Sequence, residues 1–288
     1  MDPRPGSLVC PGCGKLISGY LTECNFCGLK NPARKKQILG LVGLGPLSMI
    51  RPIIGVSILL FGLSYLLPLL VPGMPRTGGS GFLGLLPAPS PYALALLGWA
   101  DPQAVFSGQW HLLVTAIFLH GGFLHILFNL LWVRDLGAQA EALLGPRLMF
   151  LVFLVSGAFG NLVAIVWPLV PLSLGFEGRF APVVGASGAV FGLMGVIMAY
   201  APKRAGFFGL GLAKQMGQWA VALILLGFLM PGISNAAHIG GFVAGWLLGK
   251  LLPAGKAKLG LELAAWAAVG VGVYAFLFQG WNAYLALA

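Results

Sequence analysis

In the stretch GASGAVFGLMG a single hydroxyl, Ser187, stands among Gly185, Gly188, Gly192 and Gly195. Further on, SNAAHIGGFVAGWLLG carries His238, followed by Gly241 and Gly245 at three and seven residues. A hydroxyl and an imidazole brought together are the parts of an activated nucleophile, the imidazole taking the proton as the oxygen attacks. A third segment, LHGGFLHILFNLLW, carries His120, His125 and Asn129, the last two four apart and so on one helical face. Their N–H groups, with the Ser187 amide at a helix start, are candidate donors to a developing oxyanion. Each residue has a plainer use. Glycine and serine line faces along which membrane helices pack backbone to backbone. A lone His238 suits a buried hydrogen bond or a proton path, Asn129 a bridge between helices, and His120 either a loop-holding or water-retaining role or a simple interfacial position.

A serine protease of the triad kind adds a carboxylate that orients the histidine. The chain has only seven Asp+Glu. Asp101 and Glu177 fall in loops, and Asp135 and Glu141 near the far end of the His125 segment, so a two-residue Ser/His apparatus is what remains. Zinc-protease chemistry is excluded by the absence of His-Glu-x-x-His, and GMPRTGGSG lacks the Gly-Lys-Ser/Thr ending of a phosphate loop.

The elements that must carry these groups are membrane spans. Of 288 residues 58% are hydrophobic and 8% charged, a composition that no water-soluble domain of this size tolerates on its surface. The formal charge of +10 is strung between apolar runs instead of clustered on one face, which argues against a nucleic-acid partner. Apolar runs and their Pro and Gly stops predict spans at about 53–71, 121–143, 147–167, 186–201, 217–231, 236–252 and 261–282. Lys30, Arg34, Lys35, Lys36 and Arg51 precede the first span and put the N-terminus in the cytoplasm, so seven spans leave the C-terminus outside. Only Arg76 and Arg179 of the 17 lysines and arginines then fall in outer loops. Ser187 and His238 lie near the outer ends of two like-directed spans, at similar depth. The segment 72–111 is long, apolar and aromatic, and is expected to lie in the outer interface with Trp99 and Trp110 near the headgroups. His111 is read as an interfacial residue without chemistry. No internal repeat is present to suggest an inverted-repeat transporter.

All four cysteines, Cys10, Cys13, Cys24 and Cys27, sit in CPGCGKLISGYLTECNFCG as two Cys-x-x-Cys knuckles. In a reducing compartment that pattern suits tetrahedral zinc. Four thiolates leave no open coordination position, so such a zinc is structural; a disulfide pair or a ribbon without metal are the other readings. Docking to a cytoplasmic protein partner is the role that an adaptor of this kind suggests.

GASGAVFGLMG, HGGFLHILFNLLW and AHIGGFVAG resemble, in that order, the three signature segments of the rhomboid intramembrane serine proteases, over about residues 53–252. The resemblance implies an all-α polytopic membrane protein with a six-helix core. It implies Ser187 as nucleophile, His238 as general base, and His125, Asn129 and the Ser187 amide as oxyanion stabilisers, with no cofactor for catalysis. It also implies a membrane-associated first loop at 72–111 and a seventh helix after the core, the six-plus-one arrangement of some members. Around that core the layout is a zinc ribbon at 1–35, a basic linker at 36–52, the core at 53–252, and a linker with the seventh helix at 253–288. Gly185, Gly188, Gly241 and His120 are the supporting residues near the site. Glu141 resembles a family glutamate with a structural role. The chain departs from the pattern at one point: many members have Trp-Arg in the first loop, and here Trp110 precedes His111. The expected substrates are single-pass membrane proteins cut near the outer face of a plasma (inner) membrane. The alternative is a catalytically silent relative that binds and escorts membrane helices.

Overall fold

The computed structural model describes residues 7–10, 15–30, 48–76, 88–173, 180–230, 232–253 and 259–287. Arg34, Lys35, Lys36, Cys13, Glu177, Arg179 and residues 77–87 of the first loop lie outside them. The N-terminal part is a small hairpin: β1 (Ser7–Val9) pairs antiparallel with β2 (Leu16–Ser18), Leu8 opposite Ile17.

Most of the described residues after Ser48 are helical. Helix α1 (Ile50–Leu70) is mostly apolar, and its start is capped both by its own chain, the Ser48 hydroxyl accepting from the Ile50 N–H at 3.2 Å, and from a neighbouring helix. Glu141 Oε1 accepts from the Met49 N–H at 2.8 Å and from the Ser48 hydroxyl at 3.1 Å. A carboxylate at the positive end of a helix dipole is stabilising there, which gives Glu141 a physical role.

The first loop is not a featureless interfacial segment. It contains α2 (Pro91–Leu97) and α3 (Pro102–Phe106) and leads into α4 (Leu112–Thr115), which runs into a 3-10 turn at Ala116–Phe118. Proline opens α2 and α3, where its missing N–H costs nothing. Asp101 accepts from the Ala104 N–H at 2.9 Å and caps α3. After the 3-10 turn the chain bends by 94° into α5 (Phe123–Leu144). Gly145 then turns it into α6 (Pro146–Val166), followed by the short α7 (Leu169–Ser173).

The expected spans at 186–201 and 217–231 belong to one run, α8 (Ser187–Leu229). At about 1.5 Å per residue its 43 residues are about twice the thickness of a bilayer. The run is interrupted at Gly206, with φ 53° and ψ −129°, and a Cβ built on Gly209 would collide with the Ala201 carbonyl, so the chain folds back on itself there. Pro202 does not end the helix as expected; residues 207–216 continue it instead of forming a loop. Helices α9 (Asn235–Leu251) and α10 (Leu259–Leu287) complete the chain.

Among the described residues three helices, Ile50–Leu70, Pro146–Pro171 and Ser187–Leu229, are long and apolar enough to cross a membrane alone, and the bent pair Leu112–Phe118 and Phe123–Leu144 counts as a fourth if it is taken as one span. Helix α9, at 17 residues, is shorter than a full span. It packs one face along α6 and α8, with Ile239, Val243 and Leu247 exposed on the other, and Phe153, Met149, Leu193, Met194 and Ile197 form the centre of the core beside it. At its C-terminal end the Lys203 ammonium donates to the carbonyls of Gly249 at 3.1 Å and Lys250 at 2.6 Å, and the Tyr200 hydroxyl to that of Pro253 at 3.0 Å. A cation there complements the helix dipole.

Candidate active site

Ser187 is the first residue of α8, and the segment that leads to it is tightly held. Val183 and Ala100 exchange both backbone hydrogen bonds at 3.0 Å, and the Gly185 N–H donates to the Ala116 carbonyl at 2.9 Å. Gly185 has φ +125°, in the region that favours glycine, and a Cβ there would lie 2.7 Å from His125 Nε2. The same point is 3.9 Å from Ser187 Oγ, so the hydroxyl and the His125 imidazole border one small space. The Gly121 N–H donates to His125 Nδ1 at 3.4 Å. A donor at Nδ1 assigns the ring proton to Nε2, the nitrogen nearest that space.

His238 lies one turn into α9, whose start is capped by the Ser234 hydroxyl accepting from the Ala237 N–H at 3.3 Å. Its imidazole stacks on Phe191, with ring centroids 4.3 Å apart and planes within 10°. Phe191 is one turn after Ser187 and shares its face of α8. Among the described residues no hydrogen bond joins Ser187 Oγ to His238, and His238 Nδ1 is buried without a partner. The two helices meet instead through backbone. A Cβ on Gly241 would collide with the Gly188 carbonyl, one on Gly245 with the Gly192 carbonyl, and one on Gly188 would sit 3.4 Å from the Ala237 carbonyl. Stacking fixes the plane of the imidazole, and the glycine seam fixes its distance from the Ser187 turn.

Asn129 is buried beneath His125, and one amide N–H donates to the His125 carbonyl at 2.8 Å, leaving the second for another acceptor. His120 precedes α5 in the bend. Its Nδ1 is 3.2 Å from the Phe118 carbonyl, its ring is edge-on to His125 at 5.2 Å, and its Nε2 is buried without a partner. Two contributors were not singled out from sequence. Phe191 carries its signal in its spacing from Ser187. Asn161, an amide in an apolar span, donates to the Leu113 carbonyl at 2.9 Å and ties α6 to α4.

The cysteine cluster is separate. Cys10, Cys24 and Cys27 hold their sulfurs within 4.8 Å of one another, with Cys10 and Cys24 buried; Cys13 lies outside the described residues. Cys10 Sγ is 3.7 Å from Cys27 Sγ, far beyond the ~2.05 Å of a disulfide. It matches the ~3.8 Å edge of a tetrahedron with Zn–S bonds of ~2.3 Å. Burial raises the Cys24 pKa, but hydrogen bonds from the Phe26 and Cys27 amides and the Cys10 and Cys27 thiols outweigh it and bring it down to about 7. A thiol so poised is ready to ligate as thiolate. These residues fit a structural zinc. The full chain is expected to bind about one zinc per molecule under reducing conditions, measured by elemental analysis, and Cys24→Ser to lose most of it.

The described helices and the glycine-packed Ser187/His238 seam define an integral membrane protein with a candidate hydrolytic site in its bundle. A family model described as the Rhomboid domain matches residues 107–254, which contain the whole of that site. The chain belongs to the rhomboid family. It is 34% identical over 144 residues to the putative rhomboid protease YdcA of Bacillus subtilis (strain 168), covering 50% of this chain and 68% of that protein. It is 28% identical over 195 residues to the rhomboid protease GluP of the same organism, covering 65% of this chain and 35% of that one. It is 32% identical over 167 residues to RHOMBOID-like protein 4 of Arabidopsis thaliana, covering 57% of this chain and 40% of that one. The chain thus spans about a third to two fifths of the length of the last two.

Proposed function

We propose that this protein is an intramembrane serine endopeptidase that cuts membrane-spanning proteins near the outer face through Ser187 and His238. The observation that carries the reading is the placement of Ser187 at the first residue of a helix packed, glycine against carbonyl, on the helix of His238. With His238 Nδ1 sealed in the protein, Nε2 is the nitrogen open for proton exchange. It takes the Ser187 proton as Oγ attacks the scissile carbonyl, the direct hydrogen bond tightening when substrate is bound. The oxyanion is held by the Ser187 N–H, unsatisfied at the start of α8, by His125 Nε2–H and by the second Asn129 N–H. The imidazolium then protonates the leaving amine, and water resolves the acyl-enzyme. No metal or cofactor enters these steps; the zinc ribbon is a structural unit of the cytoplasmic side, suited to a protein partner.

The charge bias of the spans orients the N-terminus to the cytoplasm and the C-terminus outside, in a plasma (inner) membrane. The layout is a ribbon at 1–35, a linker at 36–52, the core at 53–252 and the seventh helix beyond. Substrates are single-pass helices that unwind easily near their outer ends, because a helix hides its carbonyls in its own hydrogen bonds.

The missing direct Ser187–His238 bond is also what a silent, helix-binding relative would show. A fluorophosphonate probe separates the two. The full-length protein in detergent or bilayers is expected to label at Ser187, with labelling abolished in Ser187→Ala and strongly reduced in His238→Ala. A folded wild-type protein that never labels would establish the binder.

A further inference from the structure

Most side chains near Gln279 on α10 face outward: Leu277 is 70% exposed and Trp281 58%, yet Gln279 is only 8% exposed. Its amide bridges two points of the first loop. Nε2 donates to the Leu96 carbonyl at 2.7 Å, and Oε1 is 2.9 Å from His111 Nε2, whose ring sits edge-on to Phe278 at 4.8 Å. His111, expected to be interfacial and without chemistry, is therefore also an anchor point for α10. Between these points Gly98 ends α2 with φ +94°. A Cβ there would lie 2.8 Å from Gln279 Cγ and 2.7 Å from Thr115 Oγ1, so the amide passes directly over the turn. The Thr115 hydroxyl donates to the Gly98 carbonyl at 2.6 Å and closes the loop on α4.

From this clamp two backbone links reach the nucleophile segment. Ala100, two residues after Gly98, exchanges both hydrogen bonds with Val183, and Ala116, next to Thr115, accepts from the Gly185 N–H. Val183 and Gly185 deliver the chain to Ser187. We infer that Gln279 is a positioning residue: α10 clamps the first loop through Leu96 and His111, and the loop in turn holds the segment that presents Ser187. The geometric part stands on these hydrogen bonds alone. Its catalytic consequence rests on the proposed role of Ser187.

The test compares Gln279→Met, which keeps the volume and removes both hydrogen bonds, with Leu277→Ala on the exposed side of the same helix. Amide hydrogen exchange is read on the full-length protein in bilayers. The expected result is exchange about tenfold faster at Ala100, Val183 and Gly185 in Gln279→Met, the size set by the loss of one to two hydrogen bonds, with no change in Leu277→Ala. On a single-pass substrate, kcat is expected to fall about tenfold with KM nearly constant, and His111→Gln, which keeps an N–H donor toward Gln279 Oε1, to retain most of the wild-type kcat. Equal exchange in the two α10 variants overturns the clamp. Faster exchange with unchanged kcat in an active enzyme overturns the positioning of Ser187. Faster exchange in a protein whose wild type cleaves nothing leaves the clamp standing and sinks the protease reading.

Discussion

Alanine at position 187 is expected to take cleavage of a single-pass substrate down to background, a loss of at least about 10⁴-fold in kcat. Among the described residues, Ser156 and Ser57 are wholly buried among the helices and cannot replace it. The loss should come without unfolding. Ser187 is half-buried at a helix start, where its side chain makes no cap bond, so stability should stay within the ~0.5 kcal/mol typical of mild substitutions and the thermal midpoint should barely move. His238→Ala is expected to cost nearly as much activity, because residues that act as a unit fail together. It also removes the ring that covers Phe191, so its midpoint should fall more. Turnover measured on protein of checked folding decides the matter, and a Ser187→Ala variant that cleaves at the wild-type rate would falsify the dyad.

The second large effect is expected at Gly245. A methyl group there lands on the Gly192 carbonyl, which is backbone and cannot swing aside, so α8 and α9 must separate. Overpacking of this kind costs about 1–3 kcal/mol and at times more. The separation also moves His238 away from the Ser187 turn, since the same seam continues through Gly188 and Gly241. Gly245→Ala should therefore lower both the thermal midpoint and turnover, and Gly245→Val should prevent folding. Gly270, on α10, has open space where a Cβ would go and serves as the control. Gly270→Ala is expected to be neutral or to stabilise by about 0.5–1 kcal/mol, as alanine does for glycine inside a helix. Equal midpoints for the Gly245 and Gly270 variants would show that the seam is looser than the backbone contacts indicate.

Much of the architecture was legible because apolar runs and proline stops are strong signals: α1, α5, α6 and α9 begin and end within a few residues of the expected limits. The fold-back at Gly206 was misplaced to Pro202, since a proline's lost hydrogen bond is tolerated when neighbouring helices hold the turn. The helices of the first loop were missed although Ser90-Pro91 and Asp101-Pro102 are both helix starts; their apolar length pointed to lipid contact rather than to short packed elements. At the site, residue types and spacing led to Ser187, His238, His125 and Asn129 as candidates. They could not reveal the orienting partner of His238, because a flat ring at van der Waals distance leaves no motif. Nor could they reveal Gln279, which acts on residues far earlier in the chain and only through tertiary proximity.

The carbonyls gathered by the Lys203 ammonium have a mechanical corollary. The Ser187 and His238 helices are seamed along their glycines and also bolted together at the far end, so the first half of α8 and all of α9 tilt as one body when the surrounding bilayer thickens or thins. On the proposed reading, lipid composition should then alter how often a substrate arrives far more than how fast it is cut once it is there.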